Sequence, residues 1–159
     1  MNSGQASALR ALVQGQMTAS LGTLHEGEPF VSMVPFAVLP DGEAFIIHVS
    51  HLASHTKDML QHASVSLMIT ASLSPDMAPQ ALPRVTIQAK AVVCEGGDPE
   101  YASAQAAYVA KFPQAADLFD FEDFELFFLR PKRARYVGGF ARAADVTAKS
   151  LARVLRTEA

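Results

Sequence analysis

Residues 30–50 read FVSMVPFAVLPDGEAFIIHVS and hold the clearest pair of strand signals in the chain. Residues 30–38 are apolar and rich in β-branched and aromatic side chains, which is typical of a strand. Pro40, Asp41 and Gly42 then give a strong turn signal, and residues 44–50 read as the returning strand. Because Pro35 removes one ladder donor, the first strand should lie at a sheet edge or carry a bulge. The stretch therefore predicts an antiparallel hairpin.

The chain on either side of this hairpin continues with strands in runs and short connections between them. Helices are predicted at 5–16, at about 54–62, from Asp98 and Pro99 to about Lys111, and at 144–156. Further strands are predicted at 18–24, 64–70, 84–94, 125–130 and 134–140. This order favours an antiparallel barrel over the strict alternation of strand and helix that builds a parallel sheet.

Composition limits the class of protein. The chain has 159 residues, of which 50% are hydrophobic and 18% charged, and these values suit one globular domain. The net charge of -3 offers no basic excess for a nucleic acid. The single cysteine, Cys94, excludes a disulfide framework. No apolar run is long enough for a bilayer and the N-terminus has no signal pattern, so we expect a cytoplasmic protein without membrane contact.

The densest polar cluster is SHLASHTK at 50–57, where a predicted strand ends and a predicted helix begins. Helix N-termini present unpaired N–H groups and a partial positive charge, which suits a phosphate. Lys57 adds a formal charge, and Ser50 and Thr56 add hydroxyl donors. A helix cap beside solvated histidines is the alternative. His51 and His55 share a helical spacing that a metal site would need, but no metal is expected because Asp58 is the one carboxylate at a suitable spacing and no cysteine lies nearby.

Two later features fit the same ligand chemistry. Arg84 opens the strand 84–94 and is a second cation that could reach the same anion, although a surface arginine at a strand end is the alternative. Gly138, Gly139 and Phe140 end a predicted strand, and paired glycines allow a flat ligand to approach the backbone or mark a bulge. No Ser/His/Asp arrangement can be assigned, so the catalytic residues stay unknown.

Four segments occur together in this chain: PFVSMVPFAV at 29–38, VSHLASHTKDML at 49–60, LPRVTIQAKA at 82–91 and RYVGGFARA at 135–143. In combination they resemble the pyridoxamine 5′-phosphate oxidase-like FMN-binding split barrels, and within them the branch that includes haem-iron-utilisation proteins. The resemblance runs from about Leu9 to Ala143. It implies one FMN-binding domain over 1–159, of the α+β class and mainly β: an antiparallel six- to seven-stranded split β-barrel with flanking helices.

The resemblance also implies a cofactor and a partner, since FMN would lie in a groove between the two subunits of a homodimer. The residues expected by resemblance to bind FMN are Met33, Val34 and Pro35 along the ring, Ser50 and His51 at the ribityl chain or phosphate, His55, Thr56, Lys57 and Arg84 at the phosphate, and Gly138, Gly139 and Phe140 near the ring edge. The anion site inferred from the residues at 50–57 agrees with this placement.

The main functional expectation is an FMN-dependent oxidoreductase of an unknown small-molecule substrate. The alternative is a non-catalytic module that binds flavin or haem. Pyridoxamine phosphate oxidation is not expected, because residues 31–36 are uncharged and GGFARAADV at 138–146 offers Arg142 without a histidine. Haem-utilisation relatives often carry a further C-terminal domain, and the sequence ends at Ala159 without one, so FMN is expected ahead of haem.

Overall fold

A computed structural model describes residues 1–140 and 142–157. Expectations for Ala141, in the segment 135–143, and for Glu158 and Ala159, in the domain 1–159, lie outside the described residues. The described α-helices are α1 Ser3–Gly15, α2 Ser54–Gln61, α3 Tyr101–Lys111 and α4 Ala148–Leu155. The described strands are β1 Thr18–His25, β2 Glu28–Pro35, β3 Ala37–Val38, β4 Phe45–Ser50, β5 Ser64–Thr70, β6 Arg84–Val93, β7 Phe124–Val137 and β8 Ala143–Thr147. Two 3-10 helices span Pro79–Ala81 and Pro113–Asp120.

The strands form one curled antiparallel sheet. Their order is β2-β1-β5-β6-β7-β4-β3, and β8 pairs with the free part of β7. The sheet closes into a half-barrel, which confirms the antiparallel split barrel expected from the sequence. In the described part of the chain the sheet has eight strands. One predicted strand is divided into β2 and β3, two others are joined as β7, and β8 lies in a segment predicted to be helical. None of the described helices is long and apolar enough to span a bilayer.

The side chains that face the inside of the half-barrel form the main core. Leu9 of α1 and Leu151 of α4 are fully buried and cover this core together with strand residues such as Leu21 and Ile87. A second core lies on the other face of β4 and β7, where α3 packs against them. Residues 45–49 are therefore buried on both faces, which explains why this strand is apolar except for His48 and does not alternate.

The predicted strand 30–38 is broken at Phe36. Its first part, β2, is one edge of the sheet, whereas β3 joins β4 at the other edge. The chain crosses the opening of the half-barrel between them, and Phe36 is fully buried at the crossing. The edge position expected for Pro35 is confirmed, because β2 has only β1 beside it.

Two predicted helix boundaries are wrong. Residues 143–147 pair with β7 as β8, so the last helix begins after Thr147, whose side chain accepts a hydrogen bond from Ser150 N–H. Tertiary pairing overrides the helical pattern of this segment. The helix predicted from Asp98 begins at Tyr101, because the Asp98 carboxylate accepts from Glu95 N–H and stabilises the preceding turn instead.

The predicted strands 125–130 and 134–140 are one strand, β7, of 14 residues. Its register with β6 shifts between Gln88 and Ala89, so Lys132 has no partner there and forms a bulge. The extra residue reverses the alternation of inward and outward side chains along β7, since Phe127 and Leu129 face the main core before the bulge. Ala134 and Tyr136 face the main core, and Arg133 and Arg135 lie exposed on the outer face.

The turn predicted at Pro40, Asp41 and Gly42 is confirmed and is held against the end of α4. Gly42 has φ +76°, and a Cβ atom there would lie 2.3 Å from the carbonyl oxygen of Ala152. Thr157 N–H donates to the Pro40 carbonyl at 2.9 Å. Only glycine combines this backbone conformation with so close an approach.

Candidate functional site

Residues 50–57 form the junction between β4 and α2, as predicted, and their hydroxyl groups bond within it. Thr56 is fully buried and its Oγ1 donates to the Ser50 carbonyl at 2.6 Å. Ser50 Oγ accepts from Leu52 N–H at 3.1 Å. The N-cap of α2 is Ala53, which has no side chain to cap the helix. The two hydroxyls therefore hold the turn before α2, and neither of them caps the helix.

The two histidines of this junction also have protein partners. His51 Nε2 lies 2.6 Å from Glu125 Oε2, and His55 Nδ1 lies 3.0 Å from Ser32 Oγ. Burial lowers the pKa of His55, and the nearby charge of Asp58 opposes this shift. Lys57 is exposed at the surface of α2. Within residues 1–140 and 142–157, no three His, Cys, Asp or Glu side chains are placed to hold a metal ion.

Asp58 is the centre of a polar network, here called the α2 network, that ties α2 to the β1–β2 hairpin. Its side chain is buried, with the residue 3% exposed. Thr23 Oγ1 donates to Asp58 Oδ2 at 2.8 Å, and His25 Nδ1 lies 2.7 Å from Oδ1. The bond between His55 and Ser32 of β2 lies beside it on the same helix. The network fixes α2 on the outer strands of the half-barrel.

The remaining predicted residues lie elsewhere. Met33 is 63% exposed on β2, whereas Val34 next to it is buried. Ser50 pairs with the first residue of β7 and Arg84 with the last, Val137. Because a strand rises by about 3.3 Å per residue, these two positions are far apart within one chain.

Arg84 lies at the same end of the sheet as Gly139 and Phe140. Its guanidinium donates to the carbonyls of Gln80 and Leu82 at 3.3 and 2.9 Å. Gly139 has φ +141°, and Phe140 is 79% exposed. The structure of one chain therefore brings the predicted residues together as two separate groups, one at 50–57 and one around Arg84.

A groove of about 830 Å³, here called the basic groove, lies on the outer face of β6, β7 and β8. It is lined by Arg84, Thr86, Gln88, Lys132, Arg133, Ala134, Arg135, Val137, Asp145, Val146 and Thr147. Four of these residues are cations and one is a carboxylate. Arg135 Nη1 donates to Asp145 Oδ1 at 2.8 Å, and Arg133 Nε donates to Gln88 Oε1. The groove thus combines an excess of positive charge with apolar strand side chains.

A second groove of about 620 Å³ shares Gln88, Lys132 and Arg133 with the basic groove and continues to Phe30 and Val31. The sheet register explains the continuity, because outward-facing residues of neighbouring strands stand in rows across the face. Val31 at the far end is 69% exposed. The outer face of the sheet is therefore open, with its apolar end at β2 and its basic end at β7 and β8.

The predicted site residues did not include Lys132, Arg133 and Arg135. The signal was present, since RPKRAR at 130–135 holds four cations in six residues. The bulge at Lys132 is what turns Arg133 and Arg135 outward into one groove, and no local pattern in the sequence marks it.

His48 lies in an aromatic box in the second core, away from both grooves. The residue is 8% exposed, and its ring stacks on Phe119 with centroids 3.9 Å apart. The ring centroids of Tyr108 and Phe124 lie 6.0 and 5.2 Å from that of His48. Its Nδ1 has no hydrogen-bond partner among the described residues. Burial lowers the pKa of His48 from its ordinary 6.5 to about 4.

Acid is expected to destabilise the protein through His48. The unfolded state binds the His48 proton near pH 6.5 and the folded state only near pH 4, so this contribution to stability is complete above pH 6.5 and is lost as the pH falls toward 4. The free energy of unfolding from urea titrations should drop by about 2–3 kcal/mol between about pH 7 and 4.5 from this group alone. His48→Phe should remove this part of the pH dependence of the unfolding free energy. His62→Phe, at an exposed position, should keep it. An equal pH dependence in both variants would contradict the assignment to His48.

Comparison with known proteins gives one family and several relatives. Residues 6–138 match the family model described as pyridoxamine 5′-phosphate oxidase. The chain is 38% identical over 138 residues to a chloroplastic haem oxygenase, HOZ, of Arabidopsis thaliana, covering 85% of this chain and 40% of that protein. It is 29% identical over 140 residues to haem oxygenase HutZ of Vibrio cholerae, covering 87% of this chain and 78% of the relative. The structure of a haem-binding protein from Mycobacterium smegmatis superposes with a TM-score of 0.85 at 31% identity, over 96% of this chain and 62% of that one.

These relatives overturn the expected cofactor. Each of the three is named for haem, so the expectations of an FMN cofactor and of an FMN-dependent oxidoreductase are wrong, and the alternative of a haem-binding module is better supported. The family includes oxidoreductases, and two of the relatives are named haem oxygenases. FMN was expected from the resemblance, and haem was placed behind it because of where the sequence ends, which does not report on the ligand. The individual residue roles expected by resemblance stay predictions.

Proposed function

The chain belongs to the pyridoxamine 5′-phosphate oxidase family, and we propose that it binds haem and takes part in haem breakdown. The observation that carries the proposal is the basic groove, with four cations beside apolar strand side chains. The names of the relatives supply the ligand class. The activity of a whole relative enters only as part of this proposal, since the chain spans 40% of the plant protein.

Haem presents two kinds of surface to a protein, and the basic groove offers a counterpart to each. Its two propionates are carboxylates, which arginine binds through paired N–H donors. Arg133 and Arg135 are exposed and stand on neighbouring outward positions of β7. The flat macrocycle is largely apolar and would contact Val137, which is partly exposed at the groove. A volume of about 830 Å³ lies within the range of small-molecule sites.

The groove does not supply an iron ligand. Haem iron is commonly held by His, Cys, Met or Tyr, and none of these lines the described basic groove. An axial protein ligand would therefore come from outside the groove. A second copy of the chain, facing the open sheet, is the source that we propose.

The open sheet face suits such a homodimer. Val31, Met33 and Met68 lie on it with 69%, 63% and 39% exposure. Exposed apolar side chains grouped on one face mark association surfaces, and two-fold pairing is the commonest arrangement of homo-oligomers. The dimer would bring a second chain to the basic groove, where the haem would lie between the two copies.

Titration of the purified protein with hemin tests the binding. We expect a saturable shift of the Soret band, with affinity lowered about 10- to 100-fold by Arg133→Ala and by Arg135→Ala, because each substitution removes a charge-assisted hydrogen bond. Lys90→Ala is the matched control, since Lys90 is an exposed cation on β6 outside the groove. No Soret shift would contradict haem binding, and equal losses in all three variants would contradict the assignment to the groove.

A second measurement tests breakdown. The hemin-loaded protein is mixed with ascorbate in air, and the Soret band and the released ferrous iron are followed. Loss of the band with release of iron, absent under argon, supports oxidative breakdown. A band that persists in air would contradict breakdown and support the non-catalytic alternative, in which the protein only holds haem.

A further inference from the structure

A third groove, here called the α4 groove, lies between α4 and the stretch of β7 before the bulge. It has a volume of about 640 Å³ and is lined by Glu43, Arg130, Pro131, Ala148, Lys149, Ala152, Arg153 and Arg156. It shares no lining residue with the basic groove. The relatives and the proposed haem site leave it without a role.

The charge of the α4 groove is strongly unbalanced. Four of its eight lining residues are cations, and Glu43 is the one carboxylate among them. Arg130 Nη2 donates to Glu100 Oε2 at 2.7 Å, and no ion pair from Lys149, Arg153 or Arg156 to a described carboxylate is present. The imbalance is local, since residues 130–156 hold eight of the 13 Lys and Arg and one of the 16 Asp and Glu.

The cations converge because the backbone holds them in fixed places. Lys149 and Arg153 are four residues apart and share one face of α4, and Arg156 is the C-cap residue directly after the helix. The opposite face of α4 is anchored in the main core by Leu151, Val154 and Leu155. The turn at Gly42 contacts the end of the helix and positions Glu43 at the rim. An anion would therefore meet a cationic surface that is already formed.

We propose that the α4 groove is a second ligand site, for a small molecule that carries a phosphate or pyrophosphate group. Arg130 is paired with Glu100, which leaves two arginines and a lysine without an ion pair to a described carboxylate. These three cations match a ligand with several negative charges, and guanidinium groups bind phosphate oxygens in pairs. The groove is larger than a bare phosphate needs, and Pro131, Ala148 and Ala152 form a wall of small apolar groups. The ligand class that fits both features has a phosphorylated end and a flat organic body, as a nucleotide does.

Isothermal titration of the full chain with inorganic pyrophosphate and with ADP tests the site at constant ionic strength. We expect saturable binding that Arg153→Gln and Arg156→Gln each weaken about tenfold or more. Arg133→Gln is the matched control, because it removes the same charge from the basic groove. We expect ADP to bind more tightly than pyrophosphate, since its base and ribose would use the apolar wall.

Two results would overturn the proposal. One is the absence of saturable binding of either probe; the other is an equal loss of binding in Arg133→Gln, which would show a general response to charge. Unaltered melting temperatures of the two α4 variants establish that they fold, since both side chains are exposed. The hemin titration separates this site from the proposed function: Arg153→Gln should leave hemin affinity unchanged, and hemin binding can fail while pyrophosphate binding holds.

Discussion

Gly42→Ala is expected to lower the free energy of unfolding by about 2–5 kcal/mol, because it combines a left-handed backbone with an overpacked contact. The added Cβ would lie 2.3 Å from the carbonyl oxygen of Ala152 and 2.9 Å from the amide nitrogen of Arg156. Both atoms belong to the backbone at the end of α4, so neither can rotate away. Either the turn or the helix has to shift, and urea unfolding measures the cost.

Two other glycines distinguish the cost of the left-handed backbone from the cost of the close contact. Gly27 has φ +83° with no atom within 4 Å of an added Cβ, so Gly27→Ala should show the backbone cost alone, about 1–2 kcal/mol. Gly97 has neither feature, and Gly97→Ala should change stability by less than about 0.5 kcal/mol. If Gly42→Ala costs no more than Gly27→Ala, the close contact between the turn and α4 is not rigid.

Asp58→Ala is expected to cost about 3 kcal/mol of unfolding free energy, since it removes hydrogen bonds to a buried carboxylate and strands a buried hydroxyl. The Asp58 side chain bonds Thr23 and His25 across 35 and 33 residues of sequence. Thr23 is itself buried and would lose its acceptor, whereas His25 is partly exposed and can bind water. The loss should appear in thermal and urea unfolding alike.

Asp145→Ala is the matched control for Asp58, because Asp145 belongs to the exposed ion pair with Arg135. Surface pairs contribute about 0–1 kcal/mol, so this variant should unfold nearly like the wild type. The double variant with Thr23→Val and Asp58→Ala should lose less stability than the sum of the two single variants, since each single change removes the same Thr23–Asp58 hydrogen bond. Fully additive effects would show that the α2 network is not a unit.

Local patterns in the sequence predicted most of the strands and the antiparallel class. In β6 the alternation is clear, and Val85, Ile87 and Ala89 face the core as the pattern indicates. Which strands pair with one another in the sheet was not predictable from such local patterns. The chain places β2 and β3 on opposite edges although one residue separates them, since closing the half-barrel decides the pairing. Residues 143–147 form β8 because they pair with β7, although their local pattern predicts a helix.

The candidate site was harder to predict because its residues meet only through strand register. Arg84 and Arg133 share a groove since β6 pairs with β7, and the bulge at Lys132 sets which side chains turn outward. The polar cluster at 50–57 was visible, but its hydroxyls bond within the junction, and composition alone does not distinguish a cap from a ligand site. The names of relatives, not a residue pattern, separated haem from FMN.

The position of β7 in the sheet has a consequence during synthesis on the ribosome. β7 is the partner of β4, β6 and β8, yet it spans residues 124–137, near the end of the chain. Until those residues emerge, the nascent chain carries β4 beside the two-residue β3 and β6 beside β5, each with an unpaired edge. Unpaired apolar edges are templates for aggregation, and the barrel cannot close early. Products that terminate before Val137 are expected to be captured by chaperones or degraded rather than to persist as a smaller folded domain.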